Sequence, residues 1–236
     1  MKREVGIGVC TYNRAKYLGE VLRLLLLSRD PDTEVVVADD GSSDETKSVV
    51  QSFGLEYLGG NNLGISGNKN RILRRLGKKD YIFLIEDDVK ILRKGWENFF
   101  IEACEKSGVE HFTFSPPGRY GRVLGETAYD GTVIQHSEFD GGCFLFITGR
   151  ALSICGGFDE RFKGYGFEHC EFSERVFRFG LSGRERINNV KGSGEYVSIW
   201  EEVPKLIGDE ERDKQGAINW SLWQKIRAEN QRGFRL

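Results

Sequence analysis

Tyr81-Ile82-Phe83-Leu84-Ile85-Glu86-Asp87-Asp88 is the stretch around which the rest of the chain is arranged. Its run of apolar residues, β-branched and aromatic among them, is typical of a strand buried on both faces of a sheet. Three acids follow directly, and an unpaired carboxylate is costly at the end of a buried strand. A divalent cation would resolve that cost, because Mg²⁺ sites use one or two carboxylates together with substrate phosphates. The acids fall just beyond the carboxyl end of the strand, which is where open α/β sheets bind ligands. The alternative is that they form an acidic polar turn without a ligand.

The composition is that of a globular chain of 236 residues, enough for one large domain or two small ones. Acids and bases nearly cancel, 36 against 34, so a nucleic-acid-binding surface is not expected. No apolar run approaches the roughly 20 residues of a membrane span, and no signal peptide is predicted. The five cysteines lack the paired spacing of metal ligands and are expected to be reduced core residues. These features predict a cytoplasmic protein.

The N-terminal half is predicted to alternate strands with helices, which implies right-handed crossovers and a parallel sheet. Asn13 is expected to cap the first helix, and Ser42 with Glu45 fits a capping box for the second. The predicted strands are 5–10, 34–38, 55–58 and 81–85. Four helices are predicted: the first begins near residue 15, and the others span 44–53, 68–76 and 95–107. Residues 59–67 are predicted to form a polar, glycine-rich loop.

The second half is predicted to contain strands 109–115 and 143–148 and a hairpin over 122–138 about Asp130-Gly131. Gly141-Gly142 is expected to be a turn that introduces the second of these strands. A short helix to 155 and a helix over 168–179 follow. The charged tail from Glu195 onward is expected to form a strand, a loop and an amphipathic helix that covers part of the fold.

Four segments, in order, resemble the family 2 glycosyltransferases of the GT-A fold. They are Gly8-Val9-Cys10-Thr11-Tyr12-Asn13-Arg14, Val35-Val36-Val37-Ala38-Asp39-Asp40-Gly41-Ser42-Ser43-Asp44, Phe83-Leu84-Ile85-Glu86-Asp87-Asp88, and Gly156-Gly157-Phe158-Asp159-Glu160-Arg161-Phe162 with the residues up to Glu171. The resemblance covers about residues 5–180. It implies an α/β, Rossmann-like fold with a mixed, mostly parallel sheet flanked by helices. A single domain over 1–236 would comprise a nucleotide-sugar-binding half (about 1–108), an acceptor and catalytic half (about 109–194) and a covering tail (about 195–236).

The resemblance also implies a binding site for a nucleotide-sugar donor. Its residues would be Thr11, Tyr12, Asn13, Arg14, Asp39, Gly41, Lys69 and Asp87. Thr11 and Tyr12 match positions that line the base pocket, where an aromatic face can stack on the base. Asp39 matches the acid that binds the base, typically uracil, and Lys69 stands where the family often has Arg near it. For Asp39 the alternative is an acidic turn that caps the following helix.

The expected metal is Mn²⁺ or Mg²⁺. Asp88 matches the metal-binding end of the family's Asp-x-Asp motif, and Asp87 matches the neighbour that reaches the ribose or organises the site. Glu86 occupies the first position of the motif, a departure that leaves its metal contact open. No histidine follows His169 to act as a later ligand, so water, phosphate or a tail carboxylate would complete the shell.

Glu168-His169 stands where the family usually has Glu-Asp, and in inverting members that Asp deprotonates the acceptor hydroxyl. His169 is therefore one candidate base, since an imidazole with a pKa near 6.5 can act at neutral pH. Glu168 is the other candidate, whereas Glu171 is expected to pair with Arg175 on the helix surface. The helix N-terminus disfavours an imidazolium and Glu168 favours it. The acceptor is expected to lie against Gly141 and Gly142.

The predicted function is metal-dependent transfer of a sugar, with inversion, from a nucleoside-diphosphate sugar (UDP-sugar favoured) to a hydroxyl of a glycan or other acceptor. Peripheral membrane contact stays open, and so does a retaining course. Two other classes stay open as well: a protein that binds nucleotide-sugars or glycans without catalysis, and a sugar nucleotidyltransferase. The latter normally has a glycine-rich basic loop after the first strand, and Thr11-Tyr12-Asn13-Arg14 is not such a loop.

Overall fold

The structure is a computed structural model that describes residues 3–114, 116, 122–139, 141–200, 203 and 207–231. Its strands are β1 (Val5–Thr11), β2 (Glu34–Asp39), β3 (Glu56–Gly59), β4 (Tyr81–Glu86), β5 (Val89–Ile91), β6 (His111–Phe114), β7 (Val123–Tyr129), β8 (Thr132–Ser137), β9 (Gly141–Thr148), β10 (Asn188–Val190) and β11 (Val197–Ile199). Its helices are α1 (Ala15–Ser28), α2 (Thr46–Ser52), α3 (Gly64–Leu76), α4 (Trp96–Ser107), α5 (Gly149–Cys155), α6 (Glu168–Arg178) and α7 (Asp209–Gln231), with a 3₁₀ turn at Ser193–Glu195.

The central sheet has the order β3-β2-β1-β4-β9-β6. The pairs β3–β2, β2–β1 and β1–β4 are parallel, and β9 runs antiparallel to both β4 and β6. The predicted fold class, a mixed and mostly parallel α/β sheet, is therefore confirmed. Two smaller sheets join β10, β8 and β7, and β11 with β5.

Strand β4 is buried on both faces of this sheet, as its apolar run predicts. Phe83 packs in the core cluster with Trp96 of α4, their ring centroids 4.7 Å apart. Leu84 belongs to the opposite cluster, together with Ile72 of α3 and Phe172 of α6. Both faces of the strand are thus covered by helices, and the one charged side chain of β4, Glu86, lies at its carboxyl end.

Two predicted boundaries are wrong. Helix α3 begins at Gly64 rather than 68, because the Asp40 carboxylate accepts hydrogen bonds from the backbone N–H groups of Leu63 (2.7 Å) and Gly64 (2.9 Å). The segment predicted as a loop is therefore partly the first turn of a helix. Gly141-Gly142 is not a turn: it begins β9, where Gly141 pairs with Phe114 of β6.

The predicted cap of α1 is also wrong. Arg14, not Asn13, occupies the N-cap position. Asn13 has a left-handed backbone (φ 48°), and its side-chain oxygen accepts a hydrogen bond from the N–H of Ser43 at 2.8 Å. The N–H of Ala15 donates to Asp44 at 3.0 Å. The loops after β1 and β2 are thus tied to each other.

The predicted capping box of α2 is not formed by Ser42 and Glu45. Helix α2 begins at Thr46, with Glu45 as its N-cap residue. The Asp44 carboxylate accepts hydrogen bonds from the Thr46 N–H at 3.1 Å and from its hydroxyl at 2.6 Å. Ser42 is instead hydrogen-bonded to Asp39.

Several other elements predicted for the second half are present, and the strand predicted over 109–115 is β6, with residue 115 outside the described residues. The β7–β8 hairpin turns at Asp130-Gly131, and the tail contains the predicted strand and helix as β11 and α7. All five cysteines are buried. No helix in the part of the chain that the structure describes is long and apolar enough to cross a membrane.

Candidate active site

The predicted donor residues come from strands that end at one edge of the central sheet. Thr11 at the end of β1 is in register with Asp39 at the end of β2. On the other side of β1, Cys10 is in register with Glu86 at the end of β4. Because these strands are parallel, their polar carboxyl ends are brought to the same edge.

Asp39 is almost fully buried and its carboxylate is held by two neighbours. One oxygen accepts a 2.6 Å hydrogen bond from the hydroxyl of Tyr57, and the other accepts one from the hydroxyl of Ser42 at 2.5 Å. Burial and the Asp39 carboxylate raise the pKa of Tyr57 to about 12, so the phenol stays a donor. Nearby, Gly41 has φ 82°, and a Cβ there would lie 3.0 Å from the backbone O of Gly60. Sequence reasoning did not single out Tyr57, whose pairing with β2 is visible only in the sheet.

Thr11, Arg14 and Asp87 form a second polar cluster beside β1. The Thr11 hydroxyl donates to one oxygen of Asp87 and the Arg14 guanidinium to the other, each at 2.8 Å. Asp87 is 3% exposed, and burial raises the pKa of its carboxyl although Arg14 opposes the shift. Tyr12 lies half-buried in the same loop. Three predicted donor-site residues are therefore one hydrogen-bonded unit.

Lys69 belongs to α3, and its ammonium group lies at the end of β4, between the predicted metal motif and the predicted base. Its ammonium is 2.9 Å from Oε1 of Glu86, 2.9 Å from the backbone O of Gly142 and 3.4 Å from Oε1 of Glu168. The side chain is 1% exposed. These acidic partners outweigh the effect of burial and raise the pKa of Lys69, so it stays charged. The cation that contacts the backbone O of Asp39 is Arg71, at 3.0 Å, a residue that sequence reasoning passed over.

Glu168 and His169 begin α6 and lie against each other. Nδ1 of His169 is 3.3 Å from Oε1 of Glu168, which is 4% exposed. Burial alone would raise the pKa of the Glu168 carboxyl, but Lys69 and His169 outweigh it and bring the pKa to about 2. Burial likewise disfavours the imidazolium, but Cys170 and Glu168 outweigh that effect and the pKa of His169 lies well above its usual value.

Gly142 packs directly against this pair. A Cβ at position 142 would lie 2.8 Å from Nδ1 of His169 and 3.3 Å from Oε1 of Glu168. Any side chain would therefore displace the imidazole, which explains the glycine physically. Gly142 thus lies beside the candidate base, although it belongs to a strand.

The three acids at the carboxyl end of β4 differ in how well they fit a metal. Glu86 is paired with Lys69, and Asp87 with Arg14 and Thr11. Asp88 is half-buried, and its backbone O accepts a hydrogen bond from the N–H of Trp200 at 2.7 Å. Among the described residues, no group of three or more His, Cys, Asp or Glu side chains is arranged to hold a metal ion. One carboxylate of Asp88 together with substrate phosphates is nevertheless a donor set that suits a hard divalent cation.

Glu171 is not part of this cluster. Its carboxylate forms a two-pronged ion pair with Arg175, at 2.7 and 2.9 Å, one turn along α6. The predicted pairing is confirmed, although Glu171 is buried and not on the helix surface. Glu168 and His169 remain the two candidate bases at the start of the helix.

A family model and a related protein both identify this sequence as similar to glycosyltransferases. The model of the family described as Glycosyl transferase family 2 matches residues 7–127, about half of the chain. The uncharacterised glycosyltransferase RP339 of Rickettsia prowazekii is 32% identical over 236 residues, an alignment that covers 88% of this chain and 73% of that protein.

Solved structures share the fold at lower identity. The 1–349 fragment of S. aureus TarS in complex with UDP-GlcNAc superposes with a TM-score of 0.65 at 18% identity, covering 90% of this chain and 64% of that one. The mannosyltransferase PcManGT of Pyrobaculum calidifontis, in complex with GDP-Man and Mn²⁺, gives 0.60 at 17% identity, covering 77% and 54%. This chain thus spans less than two thirds of each of those two solved chains.

Proposed function

This chain belongs to glycosyl transferase family 2, and from that premise we propose that it transfers a sugar from a nucleoside-diphosphate sugar to an acceptor hydroxyl with inversion at the anomeric carbon. One observation carries the proposal. Lys69 joins Glu86, at the end of β4, to the Glu168–His169 pair on α6, so that a candidate donor site and a candidate base are neighbours.

The donor nucleotide is placed over the ends of β1 and β2. Asp39, Thr11 and Tyr12 would form the base pocket, with Asn13 and Gly41 shaping its loops and Arg14 holding Asp87 towards the ribose. A UDP-sugar is favoured, since the family's acid at the position of Asp39 typically binds uracil. That TarS binds UDP-GlcNAc in the same fold is consistent with this choice, whereas PcManGT binds GDP-Man.

Asp88 is the residue that we propose to hold a divalent cation, with Glu86 as a weaker candidate because its carboxylate is already paired with Lys69. When bound, Mn²⁺ or Mg²⁺ would neutralise the charge that develops on the leaving diphosphate.

His169 is the proposed base, and Glu168 is the residue that positions it. Oε1 of Glu168 lies 3.3 Å from Nδ1 of the ring, a contact that would orient the imidazole, and we assign to Nε2 the proton of the acceptor hydroxyl. The acceptor oxygen would bond to the anomeric carbon as the bond from that carbon to the diphosphate oxygen breaks, and the proton would pass to His169. The reverse assignment, with Glu168 as base, makes the opposite prediction for substitution and is tested below.

The metal is tested by measuring nucleoside diphosphate released from a panel of UDP-Glc, UDP-GlcNAc and GDP-Man, with Mn²⁺ and with a chelator. We expect Asp88→Asn to reduce release by roughly 10²-fold or more and to abolish the dependence on Mn²⁺, while leaving folding intact. The matched control is Asp130→Asn, which removes the same charge at the exposed β7–β8 turn, where Asn tolerates the left-handed backbone (φ 38°).

Full activity of Asp88→Asn would overturn the metal assignment. Release of pyrophosphate from a nucleoside triphosphate and a sugar phosphate, without diphosphate release, would instead favour a nucleotidyltransferase.

A further inference from the structure

We propose that α7, through Asn219 and its two tryptophans, positions the Glu168–His169 pair by holding the segment 163–167 in a conformation in which Gly164, Gly166 and Phe167 have positive φ. The catalytic consequence rests on the proposed function, but the structural consequence does not. Helix α7 lies outside the residues matched by the family model, which end at 127, so the family match assigns it no role.

Asn219 is the main point of attachment. Its side-chain nitrogen donates to the backbone oxygens of Lys163 (2.8 Å), Tyr165 (3.0 Å) and Gly166 (3.0 Å), and the residue is 2% exposed. One buried amide from α7 therefore serves three carbonyls in four consecutive residues. These hydrogen bonds fix the path of the segment, and they satisfy the buried Asn219 amide, which would be costly to leave unpaired.

Phe167 is the residue at which the segment turns into α6. It is the N-cap of the helix and has φ 69°, a region that a bulky L-residue rarely adopts and that persists only where the surroundings enforce it. Gly164 and Gly166 before it also have positive φ, 63° and 94°. The residue that immediately follows Phe167 is Glu168, so this backbone conformation sets the direction in which the candidate base pair leaves the loop.

The tryptophans of α7 hold the Phe167 ring. Trp223 stacks on it at 5.7 Å between centroids and 26° between planes, and Trp220 meets it edge-on at 5.3 Å. The helix also approaches the loop backbone closely at Gly164, where a Cβ would lie 2.7 Å from the side chain of Gln215. These contacts supply the enforcement that the left-handed Phe167 requires.

Helix α7 also covers a small apolar cluster that contains Phe162, Cys170 and Ile226. A helix that did only this would stabilise the whole fold without acting on the base in particular. A helix that only stabilises the fold would affect all regions alike. A helix that positions the base would make the local stability of residues 163–171 depend on the Asn219 amide.

The test compares Asn219→Asp with Ser221→Asp in the full chain. Asn219→Asp is nearly isosteric but turns a donor toward three carbonyl oxygens into an acceptor. Ser221→Asp puts the same charge two residues away on an exposed position of α7. If Asn219→Asp does not fold, Asn219→Ala replaces it, since it removes the donor without adding charge.

We expect Asn219→Asp to speed amide exchange in 163–171 by roughly tenfold or more, including the N–H of Glu171, which donates to the backbone O of Phe167 at 3.0 Å. Exchange in β1, β2 and β4 should hardly change. In an assay with the donor that the chain accepts, kcat should fall roughly 10- to 100-fold, with the KM for the donor nearly unchanged. Ser221→Asp should change neither quantity.

Unchanged exchange in 163–171, or an equal increase throughout the sheet, would overturn the positioning role. A wild-type chain with no transferase activity would refute the proposed function alone, since the exchange measurement decides this inference by itself.

Discussion

Lys69 shows how a single residue holds the candidate site together. Its ammonium is buried, and Glu86, Glu168 and the backbone O of Gly142 surround it. A buried ion pair adds little net stability, but removing one partner leaves a charge that neither water nor a counter-ion compensates. The residue therefore constrains α3, β4, β9 and α6 to one relative arrangement.

Lys69→Met should therefore destabilise the fold by about 3–5 kcal/mol at pH 7, measured as the free energy of unfolding in urea. Burial alone would raise the pKa of Glu168 in the folded protein, but the charge of Lys69, more than any other group, lowers it to about 2. The contribution of the ionised Glu168 to the free energy of unfolding is thus fully present above the ordinary carboxyl pKa and is lost as the pH falls towards 2. The difference between variant and wild type should accordingly shrink as the pH is lowered.

The double variant Lys69→Met/Glu168→Gln is the control, because it removes both charges and should recover part of the lost stability. An unfolding free energy of Lys69→Met equal to that of wild type at pH 7 would contradict the pairing.

The sequence predicted which residues form the polar site better than it predicted which of them contact one another. The acids that end β2 and β4 are recognisable in the sequence because they interrupt apolar strands. That Lys69 reaches Glu86 while Arg71 reaches the backbone of Asp39 depends on how α3 crosses the sheet. A helical repeat fixes which residues share a face, but not which strand each of them lies over.

At the scale of elements, β1 and α3 approach each other unusually closely. A Cβ on Gly8 would lie 2.1 Å from Cγ2 of Ile72 and 2.7 Å from its Cδ1. Neither residue is free to move, since β1 is hydrogen-bonded to strands on both sides and Ile72 is fully buried. Gly8 therefore sets the distance between the sheet and the helix that carries Lys69.

Gly8→Ala should destabilise the fold by about 1–3 kcal/mol, the usual range for overpacking a core, as measured by urea unfolding. Combining it with Ile72→Val, which removes one methyl group from the contact, should cost less than the sum of the two single substitutions. Strict additivity would show that the two residues are not in contact.

Element types were predictable and some boundaries were not. Strands β1 to β4 and the helices of the N-terminal half follow from their apolar patterns, whereas the short β5 was not predicted. The Asp130-Gly131 hairpin follows from its turn residues. The early start of α3 depends on Asp40, whose carboxylate binds the N–H groups of Leu63 and Gly64 from 23 and 24 residues away. Gly141-Gly142 resembles a turn in sequence, yet it begins β9. The glycine at 142 is instead explained by the close approach of His169.

At the scale of the whole molecule, the central sheet joins both predicted halves of the chain. Strands β1 to β4 bring the acids that would face the donor, whereas β9 and α6 bring Gly142 and the candidate base. Lys69 and α7 connect these parts, the first by charge and the second by hydrogen bonds to the loop before Glu168. The proposed transfer reaction needs both sets of residues at once, so its most informative test is one that separates donor binding from chemistry.

That test is the rate of nucleoside diphosphate release as a function of pH in the wild type and in His169→Ala, with donor affinity measured in parallel. If His169 is the base, the wild-type rate should fall on the acid side as the ring is protonated, with a midpoint above the ordinary histidine pKa because Cys170 and Glu168 favour the imidazolium despite burial. His169→Ala should lower kcat by roughly 10²- to 10⁴-fold, lose this acid limb and bind the donor as tightly as wild type. A mild effect of His169→Ala with the acid limb retained, together with a severe effect of Glu168→Gln, would contradict the assignment and make Glu168 the base.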